Sequence, residues 1–162
     1  MKIKRIAALI MTLTTAFSVA GQTDRSPTIT NWGTMSCGAR LSIALSNNII
    51  PQGTNIVLTC LIKNDSTNLV SAPMWAPMGF YAILTNNFGT LHELIPNPEK
   101  FLGGSSIASS IMPGQTNSYK VLLNFKQDIK PGNYELVVSR TILVEHKSYK
   151  LVSNALKINV ER

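Results

Sequence analysis

The stretch Asp128-Ile129-Lys130-Pro131-Gly132-Asn133-Tyr134-Glu135-Leu136-Val137-Val138 decides the fold. Pro131 fixes its own φ and Gly132 reaches backbone conformations closed to other residues, so the pair turns the chain sharply. From Tyr134 the apolar residues fall at every second position, Tyr134, Leu136 and Val138, and the run extends toward Val144. Period two places them on one face of a strand. A tight turn that feeds directly into a half-buried strand belongs to packed antiparallel sheets, and the sequence on either side supplies the other strands.

Downstream, Glu145-His146-Lys147-Ser148 reads as a hairpin tip and residues 149–160 as the returning strand. The apolar phase of that strand shifts between Leu151 and Leu156, which predicts a bulge near Ser153-Asn154. Upstream, residues 118–125 alternate through Tyr119, Val121, Leu123 and Phe125. Residues 40–46 and 55–63 carry the same period, with Leu41, Ile43 and Leu45 on one face of the first and Ile56, Leu58, Cys60 and Ile62 on one face of the second. Residues 79–84 and 90–95 read as a hairpin around Asn86-Asn87-Phe88-Gly89, and 107–111 as a short edge strand. Pro73 and Pro77 argue against a central strand over 70–78. The expectation is an all-β domain over 37–162, a β-sandwich of seven to eight antiparallel strands, behind a flexible leader at 21–36.

The first twenty residues have a different character. Lys2, Lys4 and Arg5 precede an uncharged, largely apolar run from Ile6 to Phe17, followed by the small residues Ser18-Val19-Ala20. This is the pattern of a signal peptide cleaved after Ala20, with secretion or a periplasmic location as the expected outcome. Nothing after it is long and apolar enough to predict a membrane span. The chain carries 15 Lys and Arg against 8 Asp and Glu. Three of those bases and none of the acids lie before residue 21, so the remainder carries only +4. Its bases are scattered, which argues against nucleic acid as a partner.

Residues 129–138, with Pro131, Gly132 and Tyr134, resemble the tyrosine corner of immunoglobulin-like and fibronectin type III domains. The resemblance implies an immunoglobulin-like sandwich in which the tyrosine hydroxyl bonds back to the corner. The antibody pattern is not matched: the tryptophans are Trp32 and Trp75, and no cysteine lies two residues after Tyr134. A narrower similarity, to the bacillary intracellular proteinase inhibitor family, rests on Lys63-Asn64-Asp65-Ser66, Phe80 to Leu84, Asn87-Phe88-Gly89, Pro113-Gly114-Gln115 and Pro131-Gly132-Asn133-Tyr134. It implies the same architecture and, as an alternative function, proteinase inhibition. The signal peptide departs from an intracellular family.

Few residues select a chemistry. Cys37 and Cys60 are the two cysteines; in an exported chain whose first hairpin turns near 47–53 they come roughly level, so a disulfide is expected. His92 and His146 each adjoin a glutamate, but neighbours on a strand face opposite ways and no zinc set assembles. No Gly-x-Ser-x-Gly elbow or phosphate-binding loop occurs. The stiffened segment Met74-Trp75-Ala76-Pro77-Met78 is the predicted binding loop, because Trp and Met recur at interfaces. Met74 and Met78, joined by His92, also make a soft-ligand set for a copper carrier. The sequence thus points to a non-enzymatic module without a cofactor that binds another protein or a cell-envelope partner. Inhibitor, hydrolase lacking a motif and copper carrier stand as alternatives.

Overall fold

The computed structural model describes residues 31–73, 79–94, 108–126 and 128–162, which form strands and turns with no helix. The strands are β1 Ala39–Ala44, β2 Ile49–Pro51, β3 Asn55–Asn64, β4 Val70–Pro73, β5 Phe80–Asn86, β6 Leu91–Leu94, β7 Ala108–Ile111, β8 Thr116–Asn124, β9 Gly132–Val144, β10 Lys147–Val152 and β11 Leu156–Glu161. One sheet has the order β1-β3-β8 and is antiparallel throughout. The other is built on β9, which pairs with β11 and then β10 along one edge, and with β5 and then β4 along the other. The strand β6 extends it from β5, β7 from β4, and β2 from β11.

The two sheets share one core. Leu41, Ile43, Leu58, Cys60, Ile62, Val121 and Leu123 from the first meet Phe80, Ala82, Leu84, Leu136, Val138 and Ile142 from the second. Phe80 and Tyr119 touch edge to face across the interface, with ring centroids 5.5 Å apart. The alternation that marks these strands in the sequence is the alternation of buried and outward positions.

The bulge forms where the phase shifts. Val152 lies opposite Ser139 and Leu156 opposite Leu136, so the chain advances four residues against three on β9. Ser153 fills the gap: its N–H donates to the Val138 carbonyl and the Val138 N–H donates to Ser153 Oγ. Asn154 reaches the other sheet, where its Oδ1 accepts the Ile43 N–H at 3.0 Å. Residues 31–36 run beside β1, held by Gly33 N–H to Leu41 O and by Ser42 Oγ–H to Asn31 O. Only glycine fits at 33, since a Cβ would lie 2.0 Å from the Val152 carbonyl oxygen.

Three expectations are corrected. The described residues hold eleven strands rather than seven or eight, and β2 runs parallel to β11. That three-residue strand is anchored at the sheet edge, with Asn159 N–H to Asn48 O and Gln52 N–H to Glu161 O, where a proline is tolerated. A strand also forms over 70–73 despite Pro73. Only Val70 and Ser71 pair with β9; beyond them the guanidinium of Arg140 donates to the carbonyls of Ala72 and Pro73, at 2.7 and 3.0 Å. The missing proline N–H therefore breaks no ladder bond to β9.

The third correction is the disulfide: both thiols are free. Register explains it. Ile43 stands opposite Cys60 and Ala39 opposite Asn64, so the end of β1 is already four residues out of level with Cys60, and Cys37 sits beyond it in the turn that joins Ser36 to Ala39. At about 3.3 Å per residue those four residues alone span roughly 13 Å, well beyond the reach of a disulfide. Burial raises the pKa of both thiols, far more for Cys60, which lies in the core near Arg140. In unreduced native protein, Cys37 is expected to take a maleimide label slowly and Cys60 only after denaturation. An intact mass two hydrogens short of the dithiol form would contradict the register.

Candidate functional site

The turn 129–132 and the start of β9 shape one end of the larger sheet. The Tyr134 hydroxyl donates to the Lys130 carbonyl at 2.7 Å, across the turn made by Pro131 and Gly132. Gly132 has φ +151°, a value L side chains rarely adopt. Gln52 adds an amide N–H to the Ile129 carbonyl, tying this turn to the one after β2. Burial pushes the Tyr134 pKa up, in the direction that favours the protonated phenol. Tyr134→Phe is expected to cost about 1–1.5 kcal/mol, since the Lys130 carbonyl loses its donor while the ring stays packed. An unchanged melting temperature would remove this bond from the account of the turn.

The β5–β6 hairpin rises beside this turn. Asn86 Oδ1 accepts the N–H groups of Phe88 and Thr90, at 3.0 and 2.8 Å, and the Asn86 carbonyl accepts the Gly89 N–H. One side chain thus fixes the whole tip. The result places Phe88 in water, 93% exposed.

Between tip and turn lies a trough of about 510 Å³, lined by Phe88, Thr90, His92, Asp128, Lys130 and Asn133 among others. A second hollow of about 360 Å³ adjoins it on the outer side of the sheet, lined by Asn48, Glu135, Lys157 and Asn159. Asn87, Asn133 and Tyr134 line both. Register brings these residues together: Asn133 pairs with Asn159, Glu135 with Lys157, and Asn86 with Tyr134. His92 faces Tyr134 edge-on, with ring centroids 6.1 Å apart.

Of the residues singled out in the sequence, Pro131, Gly132, Tyr134 and His92 meet in this trough. His146 is exposed in the β9–β10 turn, at the opposite end of β9. Met74, Trp75 and Met78 lie outside the described residues. No group of three or more His, Cys, Asp and Glu that could hold a metal occurs among the described residues. Sequence reasoning missed Phe88, Asn87 and Asn133, which read as turn formers. It also missed Arg140, whose signal was a cation in the apolar phase of β9.

No family model and no curated protein matches this chain. Solved structures of similar fold include a Northeast Structural Genomics Consortium target, SoR45, at 10% identity and a TM-score of 0.50, over 78% of this chain and 90% of that one. The sporulation control protein Spo0M from Bacillus subtilis matches at 14% identity and a TM-score of 0.48, over 77% of this chain and half of its own. A family 123 glycoside hydrolase from Clostridium perfringens matches at 14% identity and 0.46, over 76% of this chain and 27% of its own. At such an identity the first of these is a likeness of fold alone.

Proposed function

We propose that this chain is an exported, non-enzymatic module of immunoglobulin-like β-sandwich architecture that binds another macromolecule outside the cytoplasm through the trough beside Tyr134. The observation that carries the reading is Phe88. A side chain of this size gains about 1.5–3 kcal/mol when fully buried, yet the hydrogen bonds of Asn86 hold it in water on a tight tip. An aromatic presented so, beside a hollow, is an anchor for a partner. Two sheets around one core and the Tyr134–Lys130 bond support the architecture. The basic, then apolar, then small-residue pattern of residues 1–20 supports export.

A photo-crosslinking residue placed at 88 in the full chain, expressed in its own host, tests the reading. The expected result is an adduct in the envelope or secreted fraction from position 88 and none from position 146, on a mature chain beginning at Gly21. An unmodified protein at both positions would remove the binding role, and retention of residues 1–20 inside the cell would remove the export.

A further inference from the structure

We infer that the trough is a binding site for a neutral glycan, an inference that rests on the proposed binding role and names its ligand class. A pyranose ring presents an apolar C–H face and a rim of hydroxyls that both donate and accept. The trough offers the complement of each. Phe88 supplies a flat apolar surface in the open, and the backbone of its tip is already fixed by Asn86, so the loop itself needs little ordering on contact. Around it stand the amides of Asn87 and Asn133, with Asn48 and Asn159 beyond them. A side-chain amide offers two N–H donors and an acceptor in one plane, which suits vicinal hydroxyls. Among the described residues, neither the Asn87 nor the Asn133 side chain is hydrogen-bonded to protein, so both are available.

Charge narrows the class. The lining carries Lys130 and Lys157 against Asp128 and Glu135, which balance. A phosphorylated or sulfated ligand would gain nothing net from that set, whereas a neutral one needs no counter-charge. Each hollow falls within the about 300–1,000 Å³ of small-ligand sites, and the two adjoin at Asn87 and Asn133. The shape therefore suits a chain of sugars crossing from one hollow to the next, with Phe88 under one ring. A lipid chain would require an unbroken apolar lining, and this one is interrupted by the amides of Asn87 and Asn133 and by the charges of Asp128 and Lys130.

The test is a printed array of neutral oligosaccharides, with sialylated and sulfated ones as the acidic set, probed with the purified full chain. Titration calorimetry on the best neutral ligand follows. Binding to neutral glycans with a sub-millimolar Kd is expected. Phe88→Ala should weaken it at least tenfold and Asn133→Ala several-fold, both at unchanged melting temperature. Tyr81→Ala, which alters an exposed aromatic outside the trough, should leave it unchanged. No neutral ligand on the array, binding confined to acidic glycans, or equal affinity after Phe88→Ala would each overturn the inference. If position 88 crosslinks only to a protein while the array is blank, the glycan falls and the binding role stands. If neither responds, both fall.

Discussion

Arg140→Ala is expected to destabilise the fold by about 3–5 kcal/mol, and to lower its melting temperature by on the order of 15 °C. Arg140 lies in the core-facing phase of β9, between Val138 and Ile142, and is 1% exposed. Its guanidinium stands 4.3 Å from the Phe80 ring centre and 4.6 Å from that of Tyr119, so it is clasped between aromatics of the two sheets. Its Nη2 donates to the carbonyls of Ala72 and Pro73. Burial pulls its pKa below the ordinary arginine value, with Tyr119 and Cys60 acting against that shift; a guanidinium nevertheless stays charged in proteins. Truncation removes the cation–π contacts, opens a cavity and leaves two strand carbonyls without this donor. Arg140→Lys keeps the charge but loses the planar fork, and should lose about half as much. Arg140→Met fills the volume without the charge and should be milder than alanine. Urea melts of the three variants check the order. An alanine variant within 1 kcal/mol of the parent would mean that the clasp does not stabilise the fold.

Arg140 also shows where the sequence stops being legible. Alternation of Tyr134, Leu136 and Val138 was enough to find β9, and the phase shift after Leu151 was enough to find the bulge, because both depend on neighbours along one strand. The turn at Glu145-His146 was legible for the same reason. Its two residues take φ +50° and +65°, the conformation a two-residue hairpin loop needs even without glycine. Features that depend on register between distant strands were not legible. The expected disulfide put Cys37 and Cys60 roughly level across a hairpin turning near 47–53, whereas the ladder sets Ile43 opposite Cys60 and leaves Cys37 in a turn beyond the end of β1. The strand at 70–73 was hidden because what replaces its lost pairing is a side chain almost seventy positions away. The trough is assembled from residues near 48, 86–92, 128–135 and 157–159. Each stretch alone reads as a turn or a polar strand end, and only the pairing of β5, β9 and β11 makes them one surface. Phe88 was masked by its company: Asn86, Asn87 and Gly89 explain the turn, and nothing local says that the aromatic is left in water.

Asn64→Ala should be nearly as damaging as Arg140→Ala, at about 3 kcal/mol, although the residue reads in the sequence as one more turn former. Asn64 ends β3 and is fully buried. Its Nδ2 donates to the carbonyls of Asn68 and Ile111, both at 2.8 Å, while its Oδ1 accepts the Ser66 N–H at 2.9 Å and the Ser66 hydroxyl at 2.6 Å. Its backbone closes the next turn, with N–H to Gln115 O and its carbonyl accepting the Gly114 N–H. One amide thus joins the β3–β4 turn to the end of β7, and alanine would leave a buried carbonyl and a turn N–H without their partners. At about 1–3 kcal/mol for each buried group left unsatisfied, that accounts for the loss. Asn64→Asp separates the two halves of the amide. It keeps the acceptor for Ser66 but turns the donor toward Ile111 and Asn68 into a carboxylate facing two carbonyl oxygens. Burial and those carbonyls would raise the folded-state pKa of the new carboxyl above its unfolded value. The stability linked to that proton is then fully present below the unfolded pKa and is lost as pH rises through the folded one. The aspartate variant should therefore approach the parent near pH 4 and fall toward the alanine variant at pH 7. Denaturant melts at the two pH values read this directly. A gap to the parent that did not widen with pH would show that the amide N–H groups are not what holds the end of β7 to this turn.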